Sequence, residues 1–557
     1  MKIPLRDLRA AVSGRRPRTA RELRRSLAFL PGAGLGVCGA RRRTNLQPNV
    51  NMKPKHLLPS LCAAGAVLPA AAHAVPPEPA PSARPQQPHI ILIVTDQQRG
   101  DALGCCNPAV ITPNLDALAR DGVRFTRAYT SAPSSTPARA GLLTGMSPWG
   151  HGMLGYGRVA EHYPCEMPQL LRDAGYWTLG IGKMHWSPQQ ATHGFHATLL
   201  DESGRVESPY FMSDYRKWFA LHAPGLDPDA TGIGWNAHGA APYALPEELH
   251  PTVWTGDRAV EAIGSHASDR PLFLKVSFAR PHSPYDAPQR LVDLYAGRDI
   301  PGPAVGDWAA AFGMLTDPQR DLEAAYGNFG AEYVENSKRH YYASVTFIDE
   351  QVGRIVEALR RCGMYDNALI FFVSDHGDMM GDHHHWRKTY AYEGSAHIPF
   401  IVKFPSGTAG AAAPGSTDAR VVELRDVLPT MLDAAGVPVP SAVEGLSLLG
   451  EGPWRAWLDM EHATCYSDDN YWCALTDGRW KYIRFLRTGR EQLFDLEADP
   501  CELHDLADDA AAAGQLALWR SRMVDHLTPR GEEWVRDGQL VLRRETMLYS
   551  PNYPEKP

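Results

Sequence analysis

The sequence predicts an α/β fold: a large, mostly parallel sheet flanked by helices, then a smaller C-terminal antiparallel sheet with a helix. Three observations carry this prediction. Two short apolar runs, 89–95 and 368–373, end abruptly in polar and acidic residues, as strands buried on both faces of a parallel sheet do. Between them, Tyr341, Val345, Ile348, Val352, Ile355 and Leu359 step by four and three along one face of a helix. From about residue 455 the pattern changes to short strands around tight turns.

The chain has 557 residues, enough for one large domain and a smaller one. The expected organisation is a leader and linker over 1–88, a main domain over 89–455 and a sheet-and-helix subdomain over 456–557. Hydrophobic residues make up 44% and charged residues 21%, the balance of a globular protein. The net charge of −7 gives no global attraction to nucleic acid, so an anionic ligand needs a local positive site. No two of the nine cysteines have Cys-x-x-Cys spacing, which argues against a zinc ribbon or a thioredoxin-like motif.

Residues 1–51 are rich in arginine and poor in acids. After Met52, Lys53 and Lys55 precede an apolar run over 57–72 and the small-x-small site Ala72-His73-Ala74. This reads as a secretory signal peptide over about 52–74, too short and too broken by proline to span a membrane. Met52 is then the expected start, and the mature protein is exported, periplasmic or secreted, with no membrane span. The other reading of the first residues is a basic tail. Proline-rich residues 75–88 form a linker.

The strand over 89–96 delivers Asp96 and Gln97 at its C-terminal end, where α/β sheets place their sites. Asp96 alone would also fit a helix cap. Thr112 caps a helix with Pro113 in its first turn, and Gly122 ends it. A strand over 123–129 leads into Ser135-Thr-Pro-Ala-Arg139-Ala-Gly-Leu-Leu-Thr-Gly145. Pro137 bends this loop and 140–143 starts a helix, so Ser135 lies near N–H groups that favour an anion. Gly150-His-Gly-Met-Leu-Gly155 matches a dinucleotide fingerprint in form only, since no strand precedes it.

A short helix over 168–174 and a strand follow, ending in Gly182-Lys183-Met-His185, where Lys183 and His185 point the same way. Residues 187–270 are a loop-rich insertion expected to shape substrate selection. A strand over 271–278 precedes Arg280-Pro-His282-Ser-Pro284. The second acid-ending strand closes on Ser374-Asp375-His376-Gly377. His383, His384 and His385 cannot all face one ion from a regular element, which argues against zinc there. Lys388-Thr-Tyr-Ala-Tyr-Glu393 and a strand over 399–404 complete the main domain. Strands over 473–476 and 480–485 flank Asp477-Gly478, and 507–527 is helical.

These motifs, in this order, resemble the type I sulfatases of the alkaline-phosphatase superfamily. That family's signature is Cys or Ser, any residue, Pro, any residue, Arg, four residues, Thr-Gly. Ser135 fits it; Ser131 does not, because position 135 is not arginine. Gly-Tyr-x-Thr with Gly-Lys-x-His, Pro-His-x-Pro, Asp-His-Gly and Lys-x-x-x-Tyr-Glu resemble the family's further motifs. The resemblance covers about 89–506 and implies an alkaline-phosphatase-like mixed sheet.

It also implies chemistry. Ser135 would be oxidised to formylglycine, whose hydrate attacks sulfur and then expels sulfate by re-forming the aldehyde. Arg139 would hold the hydrate, His185 would assist it, Lys183 and Lys388 would bind sulfate, and His282 would protonate the leaving alcohol. Asp96, Gln97, Asp375 and His376 would hold one divalent ion, and the oxygen-rich set suits calcium. Gln97 stands where the family often has a second aspartate. His376 is the nitrogen among oxygens, and its other role is a bond to the nucleophile. A serine at 135 implies a serine-type maturase as partner. The overall run looks most like bacterial enzymes acting on glycosaminoglycan fragments, within them on 2-O-sulfated unsaturated uronates. The alternatives are a phosphomonoester or phosphonate hydrolase of the same superfamily and an inactive glycan-binding relative.

Overall fold

Among the described residues the main sheet has eight strands: β1 (His89–Asp96), β2 (Val123–Tyr129), β3 (Trp177–Gly182), β4 (Ala197–Leu200), β5 (Leu272–Pro281), β6 (Ala368–Ser374), β7 (Phe400–Lys403) and β8 (Ser416–Glu423). Their order is β4-β3-β5-β1-β6-β7-β2-β8, and only β7 runs antiparallel to its neighbours. The computed structural model describes residues 87–203, 205, 210–314, 321–450 and 452–555. The expected signal peptide, and the linker up to residue 86, lie outside the described residues. Among the described residues no helix is long and apolar enough to cross a membrane.

The period of two along β1 splits its side chains between two hydrophobic layers. Ile90, Leu92 and Val94 pack with α2 (Ser135–Thr144) through Ala138 and Leu142. Ile91 and Ile93 face the other layer, which holds α1 (Pro113–Asp121), α3 (Pro251–Gly264) and α4 (Ala331–Arg361). The stripe Ile348, Val352, Ile355 and Leu359 of α4 lies in that layer. Helices therefore cover both faces, as a mostly parallel sheet requires.

Two local expectations are corrected. Thr112 does not cap α1; its hydroxyl accepts from Gly104 N at 2.6 Å. Asp349 of α4 does the capping instead, accepting from the backbone N–H of Leu115 at 2.7 Å and of Asn114 at 3.2 Å. The helix after the signature starts at Ser135, five residues earlier than its apolar run. Pro137 falls in the first turn, where its missing N–H has no intrahelical acceptor to lose.

The second sheet is β9 (Leu458–His462), β10 (Trp472–Thr476), β11 (Trp480–Phe485) and β12 (Glu491–Asp495), antiparallel throughout in the order β12-β11-β10-β9. Its alternation is two-sided. Trp472, Ala474, Ile483 and Phe494 pack on Tyr129 and Tyr392, while Leu475, Tyr482 and Leu493 pack on Trp519, Met523 and Leu527 of α5 (Ala513–Leu527). β9 has no counterpart in the sequence reading, and it carries a residue of the site.

Candidate active site

Parallel pairing of β1 with β6 sets Thr95 opposite Ser374, so the residues that follow, Asp96 and Asp375, emerge side by side. Helix α2 supplies the cation between them. Arg139 sits one turn after Ser135, on the same helical face. Its guanidinium donates to Asp375 Oδ2 at 2.8 Å, Asp96 Oδ2 at 3.0 Å, the Lys183 carbonyl at 2.6 Å and Ser277 Oγ at 3.0 Å. Lys183 Nζ adds a contact to Asp96 Oδ2 at 2.8 Å. Arg139, Asp96 and Asp375 have no exposed side-chain surface. Burial opposes ionisation of Asp96, but the surrounding cations, Lys183 first, hold its carboxyl well below the usual range.

The Oδ2 atoms of both aspartates are thus occupied. Asp375 Oδ1 accepts from Gln97 N at 3.0 Å and His376 N at 2.9 Å, whereas Asp96 Oδ1 is buried without any hydrogen-bond partner among the described residues. Asp96, Asp375 and His376 can each present a ligand atom within 4.8 Å of the others. An orphaned buried carboxylate oxygen beside a second carboxylate, an imidazole and the Gln97 amide fits a divalent cation. Gln97 is held from both ends: its Nε2 donates to Asp378 Oδ2 at 2.5 Å, and its Oε1 accepts from Lys388 Nζ at 2.8 Å.

His376 Nδ1 faces the Gly377 carbonyl at 2.9 Å, so Nδ1 carries the proton and the Nε2 lone pair faces Ser135 Oγ at 3.0 Å. Burial lowers the pKa of this imidazole, in keeping with a neutral acceptor. The same logic assigns His282. Its Nδ1 faces the Ser283 carbonyl at 3.1 Å and its Nε2 lies 2.8 Å from Lys388 Nζ. Burial, and then Lys388 and Lys183, push His282 well below its ordinary pKa. Burial also brings Lys388 down to about 8. The proton of this pair rests on the lysine, and His282 accepts.

Nine of the ten predicted residues therefore form one hydrogen-bonded and ion-paired cluster: Asp96, Gln97, Ser135, Arg139, Lys183, His282, Asp375, His376 and Lys388. The tenth, His185, reaches it through a shared cavity of about 210 Å³, which Ser134, Lys183, His282 and Lys388 also line. His185 has φ 62°, a left-handed turn held by Glu202 Oε1, which accepts from the backbone N–H of Met184 at 2.9 Å and His185 at 3.1 Å.

The insertion over 187–270 is expected to shape substrate selection, but no residue of the cavity walls is named from it. Ser203, Arg205, Trp235 and Asn236 come from the insertion, and Tyr156, Arg387, Cys465 and Tyr466 from loops that carried no motif. Sequence reasoning also missed His462 on β9, whose Nε2 faces Ser134 Oγ at 2.8 Å, beside the signature serine. A lone histidine ending a five-residue strand offers no periodic signal, whereas Arg387 was findable as the neighbour of Lys388.

The sequence profile of the sulfatase family matches residues 88–437, and that of the C-terminal part of N-sulphoglucosamine sulphohydrolase matches residues 381–527. An arylsulfatase of Clostridium perfringens is 37% identical over 82% of this chain and 98% of its own length. A choline-sulfatase of Rhizobium meliloti is 34% identical over 76% of this chain and 83% of its own. Among solved structures, a phosphonate monoester hydrolase of Agrobacterium radiobacter superposes with a TM-score of 0.67 at 25% identity, covering 82% of this chain and all of that one. With a family profile over more than half its length and a relative of 37% identity along nearly all of that relative, the chain belongs to the sulfatase family and is a sulfuric ester hydrolase.

Proposed function

We propose that this sulfatase removes sulfate from a small sulfated saccharide, a fragment of a glycosaminoglycan, with Ser135 converted to formylglycine and one calcium ion at the aspartate pair. The observation that carries the reading is the seat of Ser135. It starts a helix, meets a neutral imidazole at 3.0 Å, and lies beside a cavity into which Lys183 and Lys388 project. The cavity walls suit a sugar: Tyr156, Trp235 and Tyr466 bring aromatic rings to the wall, and Asn236, Ser203 and Thr389 bring polar groups.

Asp96, Gln97 and Asp375 would hold the ion, which would supply Lewis-acid stabilisation of charge on sulfate oxygens, while His376 Nε2 is turned to Ser135 and not to the ion. Formylglycine at position 135 would supply, as its hydrate, one hydroxyl for attack on sulfur and a second whose ionisation would release sulfate. The other roles belong to the encoded side chains. His376 has a single lone pair, at Nε2, and its contact with Ser135 fits removal of a proton from residue 135. Arg139 fixes both aspartates through its guanidinium. Lys183 and Lys388 bind sulfate oxygens as point charges. The proton for the leaving alcohol would come from the Lys388–His282 pair, with the ammonium as its source and His282 Nε2 holding that ammonium in place. His185, on its strained turn, faces the same cavity and orients the hydrate.

Two measurements test this. After co-expression with a serine-type maturase, the peptide containing Ser135 should be about 2 Da lighter than encoded, with aldehyde reactivity. That material should release sulfate from a panel of defined sulfated saccharides. An unchanged serine peptide in active protein would overturn the mechanism, and release only from non-carbohydrate sulfates would overturn the substrate class. The likeness to the phosphonate monoester hydrolase favours a second reading, hydrolysis of phosphate or phosphonate esters. Faster release of phosphate than of sulfate from matched esters would select it.

A further inference from the structure

Arg387 lines the same cavity as Lys183, Lys388 and His282, and no motif or role uses it. It is 7% exposed. Among the described residues its guanidinium donates to the Glu323 carbonyl and lies 4.3 Å over the Tyr466 ring, and Nε has no hydrogen-bond partner. No carboxylate of the described residues forms an ion pair with it. The contrast with its neighbours is sharp. Arg139 bridges Asp96 and Asp375, Arg280 is paired with Asp286 at 2.8 Å, and Arg205 on the same cavity wall lies 3.6 Å from Glu202. A buried guanidinium without a counter-charge is costly unless something supplies one.

The backbone supports the same conclusion. Arg387 has φ 64° and Thr389 has φ 83°, left-handed conformations that arginine and threonine adopt at a cost. The segment is tied down by Met379 N donating to the Arg387 carbonyl at 2.7 Å and Thr389 N donating to the Pro133 carbonyl at 2.8 Å. It holds the guanidinium one residue from the lysine that faces sulfate. A sulfate monoester brings one negative charge, and Lys183 and Lys388 already face it. Arg387 remains in excess.

We infer that Arg387 is a specificity-determining residue that pairs with a second anionic group, a carboxylate, on the sulfated substrate. This rests on the sulfatase reading and narrows it to sulfate esters of acidic sugars. Guanidinium and carboxylate match in shape, and Tyr466 covers one guanidinium face, leaving the donor edge for a planar acceptor.

The test uses two methyl glycosides sulfated at O2, a glucuronide and the matching glucoside, which differ only by a carboxylate in place of a hydroxymethyl group. Binding to the unmatured full chain, which does not turn over, is measured by calorimetry. The glucuronide sulfate should bind about 10- to 100-fold more tightly. Arg387→Asn removes the charge with a side chain that tolerates positive φ, and it should reduce that ratio to near one. Arg387→Lys should keep part of it. Equal affinity of the two glycosides, failure of both to bind, or a preference that survives in a folded Arg387→Asn protein would overturn the inference. The melting temperature of each variant separates loss of the residue's role from loss of the fold. Matured enzyme that releases sulfate from both glycosides without preference leaves the sulfatase reading standing and sinks this one. Charge-dependent binding without sulfate release does the reverse.

Discussion

Arg139→Met should destabilise the protein far more than a surface arginine change, and the structure says by how much. The guanidinium makes four hydrogen bonds, two of them to aspartates without exposed surface. Its removal leaves Asp96 and Asp375 facing each other with Lys183 as the nearest remaining cation. Breaking a buried pair from one side costs about 3–5 kcal/mol, because the surviving charges stay buried. At roughly 2 cal/mol/K per residue of unfolding entropy, 1 kcal/mol lowers the melting temperature of a body this size by about 1 °C, so a drop of about 3–5 °C is expected. The decisive measurement is a double-mutant cycle in EDTA, with melting curves for wild type, Arg139→Met, Asp375→Asn and the double variant. If uncompensated carboxylates cause the cost, neutralising Asp375 should relieve part of it. The cycle should then show coupling of about 2 kcal/mol. Additive effects, or an Arg139→Met protein melting within 1 °C of wild type, would refute the reasoning.

Three further outcomes are expected. Calcium at about 100 times its dissociation constant should stabilise the protein by about 2.7 kcal/mol, EDTA should reverse this, and Asp96→Asn should abolish it; a calcium-independent melting curve removes the ion from this site. Burial lowers His462 to about 4, so its stabilising neutrality is present above the unfolded value near 6.5 and is lost as pH falls towards 4. Stability should therefore drop by about 3 kcal/mol from this residue over that window, and His462→Gln should flatten the melting-temperature profile by a corresponding amount; parallel profiles contradict the assignment. Finally, the tail clamps the segment carrying Tyr156: Tyr549 Oη accepts from Arg158 N at 2.8 Å, and Tyr553 Oη donates to the Arg158 carbonyl at 2.7 Å. Truncation after Glu545 should raise KM several-fold with a smaller change in kcat, and an unchanged KM would show that the tail does not position the cavity wall.

The strand ends were legible because a buried strand that stops at an acid leaves little alternative to a site. Asp96 and Asp375 follow from two such strands, and their adjacency follows from β1 pairing with β6, which local pattern cannot show. The signature placed Ser135 and Arg139 correctly relative to each other, but its helix begins at the serine because proline is compatible with a first turn. Thr112 illustrates the reverse error: its capping role fell to Asp349, more than two hundred residues away, and no local rule sees that far. The walls of the cavity were illegible for the same reason. Trp235, Tyr466 and Arg387 come from three loops, and only the packed fold makes them neighbours.

The amide at position 97 bears on how the site attracts sulfate. A carboxylate there would bring a further negative charge to the ion. In its place, Gln97 offers an oxygen to Lys388 and passes its N–H to Asp378, which Tyr285 Oη also contacts at 2.6 Å. The nearest carboxylate on that side is then Asp378, joined to Lys388 through the Gln97 amide. Asp96, Asp375 and Asp378 then stand against Arg139, Lys183 and Lys388, three charges of each sign within one bonded cluster. A bound dication would leave this cluster positive, in a chain whose net charge is −7. With the ion in place, this local excess and not the global charge would draw a sulfate ester in, and Arg387 would extend it towards the rest of the substrate.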